Sequence, residues 1–118
     1  MEIDDIILGI AGPCASGKTT LIKGLEQHGY HGKHIAQEHS YVPYMWKRLT
    51  NPDFLIFLDV SYKNTKNRKR LRWSEKEYLV QVKRLEHARR NADIIIYTDN
   101  LSPDEVLQKV ISFINIQS

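Results

Sequence analysis

Gly12-Pro13-Cys14-Ala15-Ser16-Gly17-Lys18-Thr19 is the stretch on which the reading of this chain turns. A glycine, four open positions and then Gly-Lys-Thr has a mechanical reason at every fixed place. Glycines let backbone N–H groups turn inward around phosphate oxygens, the lysine reaches the β- and γ-phosphates, and the threonine hydroxyl binds Mg²⁺. The context on either side agrees. Ile6-Ile7-Leu8-Gly9-Ile10-Ala11 is a short apolar run that reads as a buried parallel strand. From Lys18 to His28 the pattern turns helical, with Leu21, Ile22 and Leu25 on one face and Gly29 placed as the cap. A helix beginning near Lys18 points its positive end at the anion. The expected phosphate contacts are therefore Gly12, Pro13, Cys14, Ala15, Ser16, Gly17, Lys18, Thr19 and Thr20, with Thr19 as a ligand of Mg²⁺.

Downstream, the same alternation of strand and helix continues. Lys33 to Glu38 is a weaker strand candidate, and residues 39–52, broken by Pro43 and Pro52, read as loop with one helical turn. Phe54 to Val60 is a second buried strand, followed by a helix from Ser61 or Tyr62. Ser74-Glu75-Lys76-Glu77 fits a capping box, and Tyr78, Val82 and Leu85 give the next helix an apolar stripe. Asp93 to Tyr97 is a third strong strand. Ser102-Pro103-Asp104-Glu105 opens a last helix that buries Val106, Leu107, Val110, Ile111 and Ile114. Nearly all-apolar strands alternating with helices imply an α/β fold: a parallel sheet of about four strands in three layers, with helices on both faces.

The 118 residues fit one domain, 1–118. Cys14 is the only cysteine, so no intrachain disulfide exists, and no apolar run approaches the roughly 18 residues of a membrane span. The acidic start, Met1 to Asp5, is unlike the basic start of a secretory leader, which leads to the expectation of a cytoplasmic protein with no membrane partner. The formal charge of +3 is unevenly spread. Residues 61–90 hold eleven Lys or Arg against Glu75, Glu77 and Glu86, a net +8 that leaves −5 on the rest. Such a block wants an anion, or else is a solvated helix face. His28, His31, His34 and His39 are spaced by three, three and five, which closes no structural zinc set. Tyr41, Tyr44 and Trp46 are suited either to stacking a base or to packing their loop on the core.

The second half of the chain narrows the kind of phosphate-loop protein. Thr65-Lys66-Asn67-Arg68 puts Arg where a guanine-reading signature has Asp. Pro52-Asp53-Phe54-Leu55-Ile56-Phe57-Leu58-Asp59-Val60, then eight residues to Arg68, resembles the nucleoside and nucleotide kinases, thymidylate kinase especially. The similarity extends through Ala92 to Asp99 and Ser102 to Val106, and covers residues 5–28 and 52–115. It implies a phosphate-loop nucleotide-binding fold, ATP with Mg²⁺, and transfer of the γ-phosphate to a small nucleoside- or nucleotide-like acceptor. It implies also that one or more of the lid candidates Arg68, Arg70 and Arg72 close over the γ-phosphate, with Arg68 and Arg72 as the catalytic candidates. By the same resemblance Glu38 takes the acceptor's proton, and the turn after Asp99 faces the adenine. Lys18 holds the β- and γ-phosphates, and Asp59 or Glu38 helps to hold the metal.

The chain also departs from that pattern. Only residues 29–51 stand where those kinases carry a much longer segment with acceptor-binding helices. Ile35-Ala36-Gln37-Glu38, then Pro43 and Trp46, resembles the Glu-Pro and Trp of deoxynucleoside kinases with altered spacing. Two other readings stand beside the kinase: a nucleotide-binding sensor or partner module without turnover, and a nucleic-acid binder using the basic block. The last lacks any nucleic-acid motif.

Overall fold

The computed structural model describes residues 5–69 and 73–117. Four strands, β1 (Ile7–Ala11), β2 (His31–His34), β3 (Phe54–Asp59) and β4 (Ile94–Tyr97), form one sheet in the order β2-β1-β3-β4, with every neighbouring pair parallel. Side chains alternate across a strand, so the two faces separate cleanly. Leu8, Ile10, Ile56, Leu58 and Ile96 point to one side, where α1 (Lys18–Gln27) and α6 (Pro103–Gln117) cover them with Leu21, Leu25, Val106, Leu107, Val110 and Ile114. Ala11, Leu55 and Phe57 point to the other, against Ile35, Trp46, Leu85 and Ala88. Those last residues come from the β2 end, α2 (Met45–Leu49), α4 (Glu75–Arg84) and α5 (Glu86–Arg90), while α3 (Tyr62–Lys69) follows β3. Each fully buried Leu or Ile contributes about 1.5–3 kcal/mol of transfer free energy, so the two clusters hold the layers together.

Helix ends are set by local chemistry. After α1, the Gly29 N–H donates to the Glu26 carbonyl and the Tyr30 N–H to the Leu25 carbonyl, the paired bonds of a Schellman ending. Gly29 sits at φ 84°, the left-handed conformation this ending needs, and Tyr30 drops into the core beside Leu25. At α4 the expected capping box is present, with the Glu77 N–H donating to the Ser74 hydroxyl and the Glu77 carboxylate reaching back. Ser102 and Glu105 repeat that exchange at the start of α6.

Two expectations change. The second strand is His31–His34 rather than Lys33–Glu38. The chain leaves the Gly29 turn already aligned with β1, pairing Ile7 with His31 and Ile10 with His34, and the Ile35 N–H closes the ladder on the Ile10 carbonyl. Gln37–His39 then forms a 3₁₀ turn, so Glu38 lies just beyond a strand end rather than on it. Val82 on α4 is exposed, and the inward face runs from Gln81 on α4 through Leu85 to Ala88 on α5. No helix among the described residues is long and apolar enough to cross a membrane.

Candidate functional site

The 12–19 loop lies at the C-terminal edge of the sheet, between β1 and α1. A side chain at Gly12 would set its Cβ 2.5 Å from the Leu58 carbonyl oxygen, so only glycine lets the loop run this close to β3. Ala15 has φ 63° and Gly17 φ 100°, two left-handed residues that curl the loop back on itself, and the Ser16 N–H donates to the Pro13 carbonyl at 3.2 Å. Gly17 is the N-cap of α1 and offers no side-chain acceptor, and no acidic residue stands in the first turn. The helix thus starts with open N–H groups and uncompensated positive character. The Ser16 hydroxyl is buried and has no partner among the described residues. Thr19 and Thr20 are exposed.

Lys18 is buried although it carries a charge. Its ammonium donates to the carbonyls of Gly12 and Pro13 and to Glu38 Oε2, the last at 2.8 Å. Burying both partners of this ion pair desolvates two charges, a cost offset only by close contact and additional hydrogen bonds. Glu38 satisfies the first condition and half of the second, since its Oε1 is buried without a partner among the described residues. The turn carrying Glu38 is held from three sides. Gln37, itself buried, donates to the Val42 and Arg84 carbonyls and accepts from the Trp46 N–H. Arg84 in turn donates to the Glu38 carbonyl and lies 4.3 Å over the Tyr41 ring. Trp46 packs into the core and donates to His87, while Tyr41 stays exposed, so the three aromatics of this loop do not act as a set.

Two side chains tie the loop to other elements. Gln81 on α4 accepts from the Cys14 N–H at 2.9 Å and donates to the Cys14 sulfur at 3.1 Å. Arg68 on α3 donates to the Ala15 carbonyl at 3.0 Å and the Thr98 carbonyl at 3.2 Å, strapping the loop to the turn after β4. Beneath this strap is a recess of about 190 Å³ lined by Ser16, Gly17, Thr20, Leu101 and Pro103 among others. Asp99 anchors the start of α3 by accepting from the Ser61 N–H. Burial alone would raise the Asp99 carboxyl, but the Ser61 and Asn64 hydrogen bonds and the Arg68 charge hold it below the ordinary carboxylate range. Tyr78 is raised, first by burial and then by the nearby Asp59 and Asp99 charges.

Of the residues singled out by sequence, the structure brings Lys18, Glu38 and Arg68 to the loop. Asp59 ends β3 as expected, but its carboxylate is engaged by Arg89 at 3.2 Å, so Glu38 and not Asp59 is the acid paired to Lys18. Arg70 and Arg72 lie outside the described residues. The four histidines are not gathered: His28 bonds the Gly24 carbonyl, and His31 and His34 are exposed on β2. His39 alone stands by the loop, where its Nε2, the Cys14 sulfur and a Glu38 oxygen lie within 4.8 Å of one another. Sequence reasoning missed Gln81, Thr98 and Arg84. Gln81 did leave a trace, as the one polar residue four before Leu85 and seven before Ala88. No family model matches the chain, and no curated protein matches it in sequence.

Proposed function

We propose that this chain is a small phosphate-loop phosphotransferase of the kind thymidylate kinase represents, which moves the γ-phosphate of ATP to a small nucleoside- or nucleotide-like acceptor. The observation that supports it most is the buried Lys18 ammonium at the root of the 12–19 loop, held by two loop carbonyls and Glu38. Three acceptors of partial or full negative charge around an ammonium are what phosphate oxygens replace when they enter. The unpartnered Ser16 hydroxyl and the uncapped start of α1 supply further donors for the same anion.

The reading assigns each group a task. Loop N–H groups and Lys18 bind the β- and γ-phosphates, and Lys18 moves from Glu38 to do so. That exchange frees the Glu38 carboxylate at the moment the donor is seated. The acceptor hydroxyl gives its proton to Glu38 as its oxygen bonds the γ-phosphorus, and the bond from that phosphorus to the bridging oxygen breaks, with ADP as leaving group. Arg68 spreads its charge over the transferring group, and the recess beneath it takes the base. The exposed Thr19 hydroxyl and the buried Glu38 Oε1 are hard oxygen donors of the type Mg²⁺ requires, so the residues fit that ion. Thr19 would hold it, and when bound it neutralises charge on the β- and γ-oxygens. Asp59 is left to its pair with Arg89.

The test is calorimetric titration with MgATP, followed by an acceptor screen for ADP release. Saturable binding lost in Lys18→Ala, and acceptor-stimulated turnover lost in Glu38→Gln with binding retained, are expected. Absence of heat at millimolar nucleotide would overturn the reading. Residues 29–51 favour one alternative, a nucleotide-binding module without turnover: they fold as an edge strand, a 3₁₀ turn and the five-residue α2, all packed on the sheet or on α4 and α5. MgATP binding with no acceptor-dependent ADP would select it.

A further inference from the structure

We infer that Cys14, Glu38 and His39 form a binding site for a thiophilic divalent cation, Zn²⁺ in the first place, at the mouth of the nucleotide-free loop. Their ligand atoms come from two elements, the 12–19 loop and the Gln37–His39 turn, yet lie within 4.8 Å of one another. Tetrahedral Zn²⁺ with bonds of about 2.3 Å to sulfur and about 2.0 Å to nitrogen sets those two ligand atoms about 3.5 Å apart. Cys14 Sγ and His39 Nε2 are 3.9 Å apart, and His39 Nε2 is 3.9 Å from Glu38 Oε2. The two sides that meet at His39 need shorten by only a few tenths of an ångström, which its exposed ring is free to do, and the Cys14–Glu38 side lies within 4.8 Å.

The same carboxylate has a second oxygen left open. Glu38 is almost fully buried, and while Oε2 receives Lys18, Oε1 has no partner among the described residues. A buried carboxylate oxygen without a donor is costly and calls for a cation or donor in its place. The sulfur is already oriented for ligation: the Gln81 amide donates to it while accepting from the Cys14 N–H, so the side chain is held at both ends. Outer hydrogen bonds of this sort fix ligand direction at metal sites and stabilise a thiolate. The donor set of thiolate, imidazole and carboxylate selects Zn²⁺ or Co²⁺ over Mg²⁺, and leaves a fourth position to water. On binding, the thiol proton passes to solvent, and two anionic ligands then balance the metal beside the Lys18 ammonium. The site shares Glu38 with the Mg²⁺ position proposed at Thr19 but draws a thiolate and an imidazole from Cys14 and His39, and it stands whether or not the chain turns over ATP.

The test uses the full chain, freed of metal and without nucleotide, titrated with Co²⁺ and read by absorption. One Co²⁺ per chain is expected, with a thiolate-to-metal charge-transfer band and the strong visible bands of a tetrahedral site. Cys14→Ser should abolish the charge-transfer band, and His39→Ala, a change at an exposed side chain, should weaken binding at least tenfold. Gln81→Ala, a positioning change, should weaken it about 10- to 100-fold while keeping the band. Zn²⁺ should displace Co²⁺, and millimolar Mg²⁺ should not. Thermal melts of each variant show that it is folded. Absence of stoichiometric Co²⁺ binding in the folded wild type, a band that survives Cys14→Ser, or affinity untouched by His39→Ala would each overturn the assignment.

Discussion

Replacing Lys18 by methionine keeps the length of the side chain and removes its charge, leaving Glu38 buried against a partner that no longer answers it. Breaking a buried pair from one side costs about 3–5 kcal/mol. At the lower figure the loss is about 3 kcal/mol. Unfolding entropy of about 2.1 cal/mol/K per residue over 118 residues converts that loss into a fall in Tm of about 12 °C. Glu38→Gln strands the Lys18 ammonium instead, but its two carbonyl acceptors remain, so its loss should be smaller. Changing both ends removes both buried charges, and the double variant should recover much of what Lys18→Met loses. The assay is a double-mutant cycle by urea unfolding at neutral pH, with ligand-free protein. A coupling of about 2–3 kcal/mol is expected for groups in direct contact. Additive losses, or a Lys18→Met protein that melts with the wild type, would refute the buried-pair account of the loop.

Other perturbations read other parts of the structure. Gly12→Ala drives a methyl group into the Leu58 carbonyl, so it should lower stability by more than about 2 kcal/mol in chemical denaturation. Ser74→Ala removes the capping box of α4 and should cost about 1 kcal/mol in the same assay. Asp99→Asn should destabilise at neutral pH and have no effect in strong acid. A carboxyl held below its ordinary value adds stability above that value and loses it as pH falls through the lowered one. Urea unfolding of wild type and variant from pH 7 downward should therefore converge, and a gap that persists or widens in acid would refute the assignment.

The sheet was legible because three of its four strands announce themselves. Ile6 to Ala11 but for Gly9, Phe54 to Leu58 and Ile94 to Ile96 are apolar at successive positions, as strands between helix layers are. β2 announces nothing: His31-Gly32-Lys33-His34 is an exposed edge held by backbone bonds to β1, and such bonds leave no mark on residue type. The expected strand, Lys33 to Glu38, began two residues late and ended four residues late, carried past the observed end by the apolar Ile35. In the site, Lys18 and Glu38 were readable as candidates, one from a motif and one from a resemblance, but their direct pairing depends on a turn no periodicity encodes. Asp59 illustrates the reverse. Its place at a strand end was right, yet Arg89, thirty residues on, decides what its carboxylate does. Gln81 was read past because a polar residue within an apolar stripe looks like an interruption until the partner it serves is seen.

The tight approach of Gly12 to the Leu58 carbonyl has a consequence for how the chain acquires its shape during synthesis. The wall behind the loop belongs to β3, and β1 lies between β2 and β3 with partners on both sides. A nascent chain that has emerged only as far as residue 52 holds the whole 12–19 segment and α1 but has nothing against which to set Gly12. Ile10 and Leu8 would also lack the neighbouring strand that shields them. The loop is therefore a late product of translation despite its early position. Truncations short of β3 should yield a ribosome-bound segment accessible to protease rather than a miniature binding unit.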